Sequence, residues 1–124
     1  MANPTLIKNY TSPAAAAAYR IAKPGANDGE VAQAAAATDA LMGVYESLPV
    51  AAGERCDIVK SGIADVEFGG VVTRGQPITS DAVGRAVAAA PAAGSNVRII
   101  GFAEVSAVLG DIGPLLIAPG LMQG

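Results

Sequence analysis

Arg55-Cys56-Asp57-Ile58-Val59-Lys60, then Ser61-Gly62, then Ile63-Ala64-Asp65-Val66-Glu67-Phe68, then Gly69-Gly70 read as strand, turn, strand, turn. Short apolar runs bounded by Gly and Ser are strand signals. Asp65 and Glu67 fall on one face of the second run, because successive side chains in a strand point to opposite faces. The same punctuation recurs along the chain. Turn signals stand at Pro24-Gly25-Ala26-Asn27-Asp28-Gly29, Ala52-Gly53-Glu54, Arg74-Gly75, Ala93-Gly94-Ser95-Asn96, Gly110-Asp111 and Pro119-Gly120. Between them lie strand-like runs near Ala18–Ala22, Glu30–Ala35, Ala40–Glu46, Gln76–Thr79, Arg85–Ala88, Val97–Val105 and Ile112–Ile117. Short strands with turns about every 8–12 residues indicate a sandwich or barrel, not a parallel α/β sheet.

The alanine clusters Ala14–Ala18, Ala34–Ala37 and Ala88–Ala90 point the other way, since Ala is the best intrinsic helix former. Each cluster is short and closed by turn residues, and isolated helices below about 12–15 residues are marginal. They read as strands and loops whose small side chains let backbones approach closely. At most one short helix is expected, near Asp81–Ala90, capped by Ser80 or Asp81. Gly84 within it argues against that helix.

A weak internal repeat is visible. Leu41-Met42-Gly43-Val44-Tyr45-Glu46 aligns with Ile99-Ile100-Gly101-Phe102-Ala103-Glu104, and Asp57-Ile58-Val59 aligns with Pro114-Leu115-Leu116. In each copy a strand with an interior Gly leads through a Gly-acid turn into a second strand. The interior Gly marks a bulge, a sharp bend or the close approach of another backbone. Chance resemblance between two short apolar segments is the alternative.

Residues 1–13 read as an extended N-terminal arm, bracketed by Pro4 and Pro13, ahead of a single β-rich domain over 14–124. Leu6, Ile7 and Tyr10 are its apolar side chains. They are either the sticky residues of a frayed terminus or the anchors of an arm that docks on a partner.

The 124 residues suit one domain. The chain is 52% hydrophobic but only 4% aromatic, so its core is built from small and branched aliphatics and no aromatic-lined ligand pocket is expected. The net charge is −3, and the basic residues are scattered singly, which disfavours nucleic acid as a partner. No apolar stretch is long enough to cross a membrane, and the N-terminal segment lacks a signal-peptide pattern, so synthesis in the cytoplasm is expected.

One cysteine, Cys56, permits no intrachain disulfide and reads as a small buried hydrophobe. There is no histidine, which removes the commonest general base and metal ligand. No phosphate loop, dinucleotide fingerprint or nucleophile elbow is present. The carboxylates Asp57, Asp65, Glu67, Glu104 and Asp111 read as solvated strand ends and turns, and Asn27-Asp28-Gly29 as a turn, not half of a calcium loop. No catalytic residue, cofactor site, metal site or small-molecule substrate is expected.

Three segments resemble the small phage capsid cement (decoration) proteins of many prophages. They are Val31–Val44, Gly69–Val87 and Arg98–Glu104, the last followed by Gly110-Asp111 and an apolar ending at Pro119-Gly120. The likeness runs from about Thr5 to Gly124 and rests on the order and spacing of the segments. It implies a β-rich homotrimer bound to the outside of an expanded tailed-phage head, bridging major capsid protein subunits against internal pressure. It also implies a life cycle from host cytoplasm to virion surface. On this reading Leu6, Ile7 and Tyr10 are the candidate capsid-binding residues. The alternative is a generic β-sandwich interaction module of a virion, associated with the tail or with a receptor or sugar. Few Tyr and no Trp disfavour the sugar version, because apolar sugar faces favour aromatic platforms.

Overall fold

The computed structural model describes residues 2–124. Among them the chain is all β, in one antiparallel nine-stranded sheet that curls into a half-barrel. The strands are β1 (Asn3–Ser12), β2 (Ile21–Pro24), β3 (Val31–Gln33), β4 (Gly43–Tyr45), β5 (Glu54–Glu67), β6 (Pro77–Ser80), β7 (Ala86–Ala88), β8 (Asn96–Ala103) and β9 (Ile112–Gln123). No helix occurs among the described residues. Asp81–Ala90 forms a turn and β7, with the Asp81 carboxylate accepting from the Val83 and Arg85 amides.

Residues 55–68, which read as two strands and a turn, are one strand. Gly62 bends β5 without reversing it. Its φ of 90° suits only glycine, and a Cβ there would lie 2.6 Å from the Asn3 carbonyl oxygen and 2.7 Å from the Thr5 nitrogen. β1 is what sits in that space. It pairs with β5 from Asn3↔Ile63 to Ser12↔Glu54, slipping register around Leu6 where β5 bends. Pro119-Gly120 is not a turn either, because β9 runs on to Gln123 beside Asn96–Ile99 of β8. The β8–β9 ladder shifts register between Ile99 and Gly101, and Pro119 falls opposite that irregularity, where a missing N–H costs no ladder bond.

The internal repeat extends well beyond the segments visible in sequence. Ile21↔Val44↔Val59 across β2, β4 and β5 matches Pro77↔Phe102↔Leu116 across β6, β8 and β9. The hairpin β2–β3 (Ala22↔Gln33, Pro24↔Val31) matches β6–β7 (Ile78↔Ala88, Ser80↔Ala86). The bridge Ala16↔Val50 matches Val72↔Ala107, and the parallel bridge Thr11↔Glu30 has a counterpart one residue along in Phe68↔Ala86. Glu54 accepts from the Ala51 amide as Asp111 does from Val108. Two equivalent units therefore stand in tandem. Unit 1 has the order β3-β2-β4-β5-β1. Unit 2 has β7-β6-β8-β9-β5, with the second half of β5 in the place of β1. A strand has two edges, and Val59 pairs with both Val44 and Ile7 while Ile63 pairs with both Asn3 and Leu116. β5 thus serves as the last strand of one unit and the first of the next.

The interior glycines of the repeat mark close backbone approach. A Cβ on Gly101 would run into the Leu116 carbonyl, and one on Gly43 would sit 2.6 Å from the Val59 carbonyl oxygen. One repeat position departs from the rule. Tyr19, at φ 61°, stands where unit 2 has Gly75 at φ 90°, and among the described residues it is the non-glycine residue with positive φ. Its amide donates to Glu46 O and its carbonyl accepts from Glu67 N, which hold it in that conformation.

Two buried clusters result. Tyr10, Ala16, Ala22, Val31, Tyr45, Val50, Cys56 and Ile58 fill unit 1. Their counterparts Val66, Val72, Ile78, Ala86, Ala103, Ala107 and Leu115 fill unit 2, in a cluster that also takes in Ile21, Val44 and Val59 from the outer face of unit 1. The larger cluster thereby joins the core of unit 2 to the outer face of unit 1. Ile21 donates its amide to Gly84 O, and Arg20 and Gln33 donate to Val83 O, which seats the β6–β7 turn on unit 1.

Candidate functional site

β1 carries the residues singled out in the arm, and the structure treats them unequally. Leu6 and Ile7 are exposed. Tyr10 is buried in the core of unit 1, so its ring is not at the surface. Lys60 donates to the Tyr10 hydroxyl at 3.1 Å, and Lys8 lies 4.7 Å from the centre of the same ring. These contacts arise from register: Tyr10 faces Cys56 and Lys8 faces Ile58, on the inner face of the unit. Ile7, opposite Val59, faces outward. Along the rest of β1, Asn9 and Thr11 are tied to β5 by Arg55, and Asn9 also donates to Asp57.

Two shallow clefts flank this strand. One is lined by Pro4, Tyr19, Tyr45, Glu46 and Asp65. The other is lined by Asn9, Leu48, Val50, Arg55, Cys56 and Asp57. Burial pushes the Tyr45 phenol above its ordinary range, partly offset by its hydrogen bond to Ser12. Ser12 Oγ donates to Ala14 O, so the Tyr45 hydroxyl is the donor to Ser12. Burial, with Asp57 adding to it, pushes the Cys56 thiol up, away from the thiolate a nucleophile needs. Among the described residues no three His, Cys, Asp or Glu side chains gather as a metal site, and no helix is long and apolar enough to cross a membrane.

A second exposed apolar surface escaped the sequence reading. Phe102 and Leu116 face each other across β8 and β9 and are both exposed, with Ile112 further along the outer face of β9. The signal was the run Ile112–Ile117, which is apolar at both alternating sets of positions, a pattern of strands covered on two faces.

No protein-family model matches the chain, and no curated protein matches it. Among solved structures, the N base of head fiber gp8.5 in bacteriophage phi29 superposes with a TM-score of 0.69 at 20% identity, over 91% of this chain and 93% of that one. The two chains share a fold. The coverage means that the likeness takes in both tandem units, not one of them.

Proposed function

We propose that the chain is a non-enzymatic structural protein of a tailed-phage virion. On this reading it is made in the bacterial cytoplasm and binds the outside of the head as a homotrimer. There it bridges major capsid protein subunits and stabilises the shell, with no nucleic acid, membrane, cofactor or small-molecule substrate involved. The observation that carries the reading is the fold likeness, over nearly the whole chain, to the base of a phage head fiber. The resemblance of three segments to cement proteins points to the same surface.

The chemistry of β1 supports a docking role. Leu6 and Ile7 present apolar side chains to solvent on a strand fastened along its length to β5. Tyr10 serves from inside, holding the strand that displays them. A trimer would offer three such strands to one shell, and linked sites raise effective affinity by about 10²–10⁴ without new contacts. The sugar-binding alternative is disfavoured by burial of Tyr10, Tyr45 and Phe68, which leaves Phe102 and half-buried Tyr19 as the accessible aromatics.

The test is cosedimentation with expanded heads that lack the protein. Saturable binding at a fixed ratio to the major capsid protein is expected. A protein that remains in the supernatant at every concentration refutes the proposal.

A further inference from the structure

In unit 1 the outward row Ile21–Val44–Val59 runs across β2, β4 and β5, and its members are 0%, 0% and 5% exposed. They lie in one buried cluster with Ala64, Val66, Ile100 and Ile117 of unit 2. The outer face of unit 1 is therefore continuous with the core of unit 2, and the Ile21 amide donates to Gly84 O of the β6–β7 turn. The equivalent outward row of unit 2 is Pro77–Phe102–Leu116, continued by Ile63. Phe102 is 38% and Leu116 40% exposed, and Ile112 adds to the same face of β9. Tandem units shield each other only at shared junctions, so terminal faces need a polar cap to stay soluble. This one has none, and contiguous exposed apolar patches mark interaction sites.

The opposite end of the molecule is different. The counterparts of Ala64, Val66 and Ile100 in unit 1 are Lys8, Tyr10 and Met42. Lys60, beside them, replaces the apolar Ile117. Lys8 and Lys60 both lie over the Tyr10 ring, and neither makes an ion pair with a carboxylate among the described residues. The bare face of unit 2 has a carboxylate at its border: Glu104 lies just past the end of β8, two residues beyond Phe102, and its amide donates to Pro114 O of β9.

We infer that the bare outer face of unit 2 takes the lysine-bearing end of unit 1 from a second copy of this chain, head to tail. The contact repeats between molecules the junction that already exists within one. It differs in one respect. Ile21 donates its amide to the β6–β7 turn, whereas Pro77 has no N–H to offer. The second copy is therefore held by Phe102, Leu116 and Ile112 packed beneath the lysine stems, with the ammonium groups beside Glu104. Such a heterologous contact closes into a ring when its rotation permits. The inference builds on the self-assembly part of the reading above and names the surfaces that carry it.

Light scattering on the full chain tests it with two variants. Phe102→Glu with Leu116→Glu spoils the face, and Lys8→Glu with Lys60→Glu spoils the end. Because Lys60 touches Tyr10, Lys8→Glu alone serves if the double variant unfolds by circular dichroism. The wild type is expected to be oligomeric and each variant monomeric. An equimolar mixture of the two variants should give a heterodimer, since one intact face then meets one intact end. A monomeric wild type, a face variant of unchanged mass, end variants that stay oligomeric, or a mixture that stays monomeric would each overturn the inference. A wild type that is monomeric in solution yet cosediments with heads would sink this contact while sparing the capsid reading.

Discussion

Val44 lies directly opposite Val59 across the β4–β5 ladder, with both side chains buried. Their repeat counterparts, Phe102 and Leu116, occupy the same register and stand at the surface. Equal positions with unequal burial make a clean comparison. Val59→Ala removes two buried methyl groups and should cost about 1.5–2.5 kcal/mol at about 0.8 kcal/mol per methylene equivalent plus a cavity. Leu116→Ala in a monomeric background should cost under about 1 kcal/mol, since half-exposed side chains lose little on truncation. Urea unfolding of the two variants checks this, and equal losses would contradict the burial difference.

Gly101 is packed against the Leu116 carbonyl, whereas Gly120 on the neighbouring strand has only ordinary contacts with Ile99. Gly101→Ala should destabilise by at least about 2 kcal/mol, because backbone must move. Gly120→Ala should change stability by less than about 1 kcal/mol. Thermal melts of both variants side by side give the comparison.

The fold class was legible because turn residues interrupt the chain at short intervals; the strand count was not, since β1 was read as an arm and β5 as two strands. The repeat was legible around Gly43 and Gly101, where steric need preserves glycine in both copies, and in the Gly-acid turn and strand that follow each. Elsewhere the units keep hydrogen bonds and not side chains, as when Arg20 and Gln76 both offer carbonyls to the strand behind them. Ser61-Gly62 misled because a glycine at positive φ looks alike in sequence whether it reverses a chain or bends it. Tyr10 could not be told from Leu6 and Ile7 without the register against β5, which turns it inward. The exposed face at Phe102 was hidden because an apolar strand residue reads as core until its neighbours are placed.

The Tyr45 hydroxyl is buried with Ser12 as its acceptor. Tyr45→Phe should cost about 1 kcal/mol and no more, since Ser12 keeps its bond to Ala14 O. Chemical denaturation measures it. A much larger loss would mean that the hydroxyl organises more of unit 1 than one bond.

Stability should depend on pH at both extremes. Burial raises the folded-state pKa of Tyr45 and Cys56. A raised pKa means the folded state keeps its proton longer than the unfolded chain. That contribution is full below the ordinary values, about 8.5 for Cys and 10 for Tyr, and is lost as pH rises through the folded values. Cys56→Ala should flatten the first part of the alkaline decline in Tm. Asp39 has the opposite sign. Desolvation would raise it, but the Ala35 amide, Lys23 and the Ala36 amide outweigh that and lower its pKa. Its contribution is present above about pH 4 and is lost as pH falls, so Asp39→Asn should flatten the acid limb.

Leu6→Ser with Ile7→Ser should abolish head binding while leaving the melting temperature and oligomeric mass near those of the wild type. Both side chains are exposed and β1 keeps its ladder with β5. Deleting the strand is a poorer probe, since it removes Tyr10 and Ser12 from the core. Undiminished binding by the double variant would remove these residues from the capsid contact.

Cryo-electron microscopy of heads with and without the protein bears most directly on the account. Discrete difference density of this domain's size, outside the shell and spanning adjacent capsid subunits, is the expected result. Identical maps, or density confined to the tail or the head interior, would contradict it.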